Sequence, residues 1–84
     1  MFNSEEIQEI VSFLADIEED SEVPKNIRAS IKSAITILTE ENATELSLKI
    51  NQSLQVLSEI VEDPNISSST RMQIWGIVSK LESK

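Results

Sequence analysis

LADIEEDSEVPKNIR at residues 14–28 and LSEIVEDPNISSSTR at residues 57–71 are two versions of one pattern, and their reading decides the fold. Leu14, Ile17, Glu19, Asp20 and Arg28 recur as Leu57, Ile60, Glu62, Asp63 and Arg71, always 43 positions on. Further along, Ile31 and Leu38 recur as Ile74 and Leu81 at the same offset. Conservative matches surround them: Ile7 with Ile50, Val11 with Leu54, Asp16 with Glu59, Val23 with Ile66 and Ile35 with Val78. Helical period alone would align the apolar positions. It would not align the Asp and the Arg, which are polar and keep fixed distances from the loop between them.

A period of this size is the length of two helices and their connections, which is how helical-repeat proteins are written. Each unit reads helix, short loop, helix. The segments from Asp20 to Arg28 and from Asp63 to Arg71 resemble the loop of a HEAT hairpin, where an Asp near the loop and an Arg in the next helix recur. The spacing from the apolar loop residue to the Arg is longer here than in that family. The expected fold is all-α, a single domain over residues 1–84. It is a four-helix up-and-down bundle made of two hairpins, about 3–39 and 43–82. Two units fall short of the three or more that open repeat arrays usually need, so the four helices are expected to close on themselves, the alternative being two chains that complete each other.

Each helix announces itself by apolar residues at three- and four-residue steps. The first should run from about Ser4 to Glu19 with a stripe of Ile7, Ile10, Val11, Leu14 and Ile17, and Asn3 with Glu6 would form a capping box at its start. The second should begin near Pro24, since proline is tolerated in a first turn, and end before Glu40; its stripe is Ile27, Ile31, Ala34, Ile35 and Leu38. The third should follow Asn42, with Glu45 as a second capping-box partner, and bury Leu46, Ile50, Leu54, Leu57, Ile60 and Val61. Pro64 ends it, because the residue before a proline is pushed out of helical geometry. The fourth should open after Ser67, Ser68 and Ser69, whose hydroxyls can accept from free backbone donors, and bury Ile74, Ile77, Val78 and Leu81.

Composition narrows the chemistry. The 84 residues suffice for one core and no second domain. With no Cys and no His there is no disulfide framework, no redox site and no zinc site of nitrogen or sulfur ligands. Glu18, Glu19 and Asp20 lack the alternating ligands and turn glycine of a calcium loop, and Ser67, Ser68 and Ser69 have no His to activate them. No enzyme activity and no cofactor are expected. No secretion signal or membrane-spanning run is evident, so a cytoplasmic location is expected, and the Asn42, Asn51 and Asn65 triplets that match glycosylation acceptors are coincidence.

Charge is distributed unevenly. Of the net −8, nearly all arises before residue 23, where eight acids (Glu5, Glu6, Glu9, Asp16, Glu18, Glu19, Asp20 and Glu22) meet no base. Such a face repels phosphate backbones, so no direct nucleic-acid binding is expected. It suits a basic protein partner, or it serves solubility alone. Glu5, Glu9 and Asp16 are the candidate contact residues on it. Met72 and Trp75 lie off the fourth helix's stripe, forming an apolar shoulder that either caps the core at its edge or serves as a contact surface, and Leu48 lies opposite the stripe of the third. Arg28 and Arg71 have a structural role in this reading, each reaching back over its loop to Asp20 or Asp63, or to carbonyls freed at the preceding helix end.

The stretches Val23-Pro24-Lys25-Asn26-Ile27-Arg28 and Ile60-Val61-Glu62-Asp63-Pro64-Asn65, then Arg71 and the ending Ile74-Trp75-Gly76-Ile77-Val78-Ser79-Lys80-Leu81-Glu82, resemble an uncharacterised family of small acidic archaeal proteins. The resemblance implies a compact four-helix fold, a cytoplasmic location and no assigned activity, and it carries over no functional residues. The expected function is a non-enzymatic protein–protein interaction module, monomeric or a weak homodimer. The alternative is a structural homodimer joined through the Met72/Trp75 shoulder.

Overall fold

The computed structural model describes residues 4–40 and 45–82, which form four helices: α1 (Ser4–Glu18), α2 (Lys25–Thr39), α3 (Leu46–Val61) and α4 (Ser68–Glu82). Their apolar stripes meet in one interior. Ile10, Leu14 and Ile17 from α1, Ile27, Ile31, Ala34 and Leu38 from α2, and Leu57, Ile60 and Val61 from α3 are buried together. From α4 come Ile74, Ile77, Val78 and Leu81. Ile7, Val11, Ile35, Leu46, Ile50 and Leu54, also expected inside, pack against this core while only partly covered.

The helices pack in chain order, α1 on α2, α2 on α3, α3 on α4, and α4 returns to α1. Among the described residues neither α1 and α3 nor α2 and α4 pack on each other, so the arrangement is a closed ring. The α2–α3 seam is the most extensive and the α1–α4 seam the slightest. A radius of gyration of 12.1 Å agrees with closure, since a compact chain of this length has about 12 Å. The loop residues Val23 and Ile66 are buried at the same end, on either side of a polar hollow of about 280 Å³. At the other end the Lys49 ammonium donates to the Glu40 carbonyl, tying the start of α3 to the end of α2.

The turns after α1 and α3 are built alike. The Asp20 carboxylate accepts the Glu22 N–H at 2.9 Å, and the Asp63 carboxylate accepts the Asn65 N–H at 2.8 Å. Both Asp residues thus stabilise a turn through their own next residues, a habit of short carboxylates outside helices. Their backbones also match, with Asp20 N–H donating to the Ile17 carbonyl and Asp63 N–H to that of Ile60.

Where the turns hand over to the next helix they differ. Pro24 caps α2 with extended geometry and no side-chain bond, whereas the Ser67 hydroxyl accepts the Thr70 N–H at 3.2 Å and caps α4. Helix α4 therefore opens inside the serine run, at Ser68, and not after it. Helix α3 likewise starts at Leu46 with Glu45 as its cap residue, without a side-chain cap bond, so Glu45 is not a capping-box partner. A long Glu side chain is poorly suited to fold back at that position, where short oxygens lead. Asn3 and Asn42 lie outside the described residues.

Ser53 breaks the apolar pattern of α3. It is fully buried, and its hydroxyl donates to the Ile50 carbonyl at 2.9 Å. That bond answers the burial requirement of the hydroxyl, which would otherwise be costly in the core.

Candidate interaction surface

The acids of α1 are spread along the exposed side of a helix whose other side is core. Glu5, Glu9 and Asp16 are exposed, as are Glu19, Asp20 and Glu22 just beyond the helix. Glu5 and Glu6 in the first turn also complement the positive end of the helix dipole. Between this face and α4 runs a groove of about 350 Å³, at the slightest seam of the ring. Ile17 and Ile77 supply its apolar floor, together with Phe13 and Gly76. Asp16 and Asp20 stand on the α1 side, and Gln73 and Lys80 on the α4 side.

Lys80 closes one end. Its ammonium pairs with the Glu9 carboxylate at 3.2 Å and lies over the Phe13 ring, 4.6 Å from the centroid. Both pair members are about half exposed, so the ion pair adds little stability and mainly fixes where the lysine rests. Of the three candidate acids, the structure thus places Asp16 in the lining of the groove, ties Glu9 to it only through Lys80, and leaves Glu5 outside it.

Met72 and Trp75 stand out from α4, 73% and 50% exposed, and neither lines the groove. Leu48 is 52% exposed on α3. All three large apolar residues placed off the stripes are therefore at the surface, and none of them lines the groove beside the acidic face or the polar hollow at the loop end. Sequence reasoning missed Phe13, 43% exposed, and Gly76. Phe13 carried a signal: it sits one residue off the Leu14 stripe, the same criterion that singled out Trp75.

Arg71 reaches back over its loop. Its Nε–H donates to the Val61 carbonyl at 3.0 Å and an Nη2–H to the Asp63 carbonyl at 3.1 Å. The targets are backbone carbonyls at the end of α3, and the Asp63 carboxylate is left to its turn. Arg28, its counterpart, makes no such bond, and its Nε is buried without a hydrogen-bond partner. The two arginines thus share a place in the pattern without sharing a role.

Among the described residues no group of three or more acids, His or Cys is close enough to hold a metal ion, and no helix is long and apolar enough to cross a membrane.

A family model described as an uncharacterised protein family, UPF0147, matches residues 1–83. The UPF0147 protein of Methanosarcina mazei is 39% identical over 80 residues, covering 95% of this chain and 85% of the relative. The UPF0147 protein TK2131 of Thermococcus kodakarensis is 38% identical over 80 residues, covering 94% and 95%. In three dimensions the chain is similar to the crystal structure of the unknown-function protein MMP1188, with a TM-score of 0.92 and 42% identity over 99% of this chain and 93% of that one. These relatives are archaeal where an organism is named, in keeping with the resemblance carried by the Val23–Arg28 and Ile60–Asn65 stretches. The chain belongs to the uncharacterised family UPF0147.

Proposed function

We propose that this chain is a non-enzymatic interaction module that recognises a basic protein partner through the acidic face of α1. One observation carries the reading: eight acids and no base precede residue 23, while the rest of the chain is neutral. A one-sign face beside a neutral body steers and orients an oppositely charged partner. The side-chain inventory supports the non-enzymatic part of the reading, since it has neither His, the commonest catalytic base, nor Cys, the most nucleophilic side chain.

The test compares the wild-type chain with an E5Q/D16N/E19Q variant as bait in a native extract, at low and at high salt. Proteins retained by the wild type at low salt should be basic, released by high salt and absent from the variant's eluate. Equal recovery by both baits, or no recovery by the wild type at low salt, refutes the acidic-face reading.

The exposure of Met72 and Trp75 favours a second reading, a homodimer joined through that shoulder. Self-association would bury Trp75, so its fluorescence should shift to the blue as concentration rises, in step with sedimentation as a dimer. A constant spectrum and a monomer at every concentration dispose of the dimer.

A further inference from the structure

Gly76 is the only glycine of the chain and stands in the interior of α4, not at its end. A helix-interior glycine is less favourable than alanine by roughly 0.5–1 kcal/mol. Neither of the usual reasons for tolerating it applies. Its φ is not positive, and a Cβ added there would meet nothing within 4 Å. What glycine does provide is an open floor in the α1–α4 groove, between Ile77 on its own helix and Phe13 and Ile17 opposite.

We propose that this groove seats an amphipathic helix of a basic protein partner. An apolar side chain of that helix enters over Gly76 against Phe13, Ile17 and Ile77, and a Lys or Arg one turn away meets Asp16 and Asp20. The proposal rests on the acidic-face reading and names its site. Charge complementarity selects the occupant: the α1 rim is acidic, and the cation on the other rim, Lys80, is already held by Glu9 and Phe13. A second copy of a chain with net charge −8 would bring like charge to that rim. An apolar floor with one charged rim is the arrangement by which grooves take amphipathic helices, with anchors at i, i+3, i+4 and i+7.

The probe is a labelled synthetic peptide of Leu and Lys with its leucines on one helical face, titrated by fluorescence anisotropy at low salt. A second peptide of the same composition has its leucines scattered around the helix. The patterned peptide should bind at least about tenfold more tightly than the scattered one, a difference of about 1.4 kcal/mol. Gly76→Leu fills the floor, and since a Cβ there meets nothing within 4 Å and the groove beyond it is open, its thermal melt should match or exceed wild type. Its affinity for the patterned peptide should fall by about tenfold or more.

Equal binding of both peptides, or unchanged binding by a folded Gly76→Leu, overturns the groove as the seat. If those same preparations lose binding in E5Q/D16N/E19Q, the acidic-face reading survives that failure. If neither peptide binds the wild type at all, both fall.

Discussion

Leu57→Ala is expected to remove roughly 3 kcal/mol of folding stability, within the 2–5 kcal/mol typical of a buried Leu cut back to Ala. For a domain of this size that lowers the melting temperature by roughly 12–24 °C. Leu57 is 0% exposed about one turn before the end of α3, the helix that packs on both α2 and α4. The cavity left by its truncation therefore opens between several elements, none of which can collapse into it without disturbing another. An 84-residue chain has little stability to spare, because small domains bury a smaller share of their surface. Leu48→Ala is the control: that side chain is 52% exposed, and its loss should change stability by no more than about 0.5 kcal/mol. Urea and thermal unfolding followed by circular dichroism measure both. A Leu57→Ala loss no larger than that of Leu48→Ala would mean that the stripes do not meet as described.

Arg71→Met is expected to cost about 1.5–3 kcal/mol, and Arg28→Met less than about 1 kcal/mol, although the two positions correspond in the sequence pattern. Methionine keeps much of the side-chain stem while removing the donors. At Arg71 this leaves the Val61 and Asp63 carbonyls without their partner, at a helix end where the last carbonyls have no acceptor-satisfying bond within the helix. It also removes a positive charge from the negative end of the α3 dipole. At Arg28 the buried Nε has no hydrogen bond to lose, so its replacement relieves a buried polar group that is already unsatisfied. Parallel thermal melts of the two variants decide the matter. Equal losses, or a greater loss at Arg28, would contradict the asymmetry.

That asymmetry marks the boundary of what local pattern could show. The recurrence of Asp and Arg indicated that both turns were structured, and both Asp residues do stabilise their turns in the same way. Yet the turn residues differ: Pro24 stands at the cap of α2 where Ser67 stands at the cap of α4, and Pro64 falls earlier in its loop. Small changes in loop path move the carbonyls that an arginine must reach, so an identical residue bonds in one copy and not in the other.

The exposed groups show the same division. Helical spacing placed Met72, Trp75 and Leu48 outside the core, because the face on which a residue lies follows from its own position on the helix. The groove is another matter, since it joins residues about 60 positions apart, such as Phe13 with Gly76 and Ile17 with Ile77. Ser53, a polar residue on an apolar stripe, was likewise legible as buried only once the neighbouring helices were in place.

Sequence by itself determined that this chain would be four helices with these inward faces, because helical period, proline and turn chemistry act within a few residues and need no partner. It also determined where the negative charge would lie along the chain. Tertiary structure alone decided that α1 and α4 would meet so lightly as to leave a groove over Gly76, and that Arg71 but not Arg28 would reach backbone carbonyls. Those outcomes depend on how far whole helices tilt and separate, and that is set by the packing of all four at once.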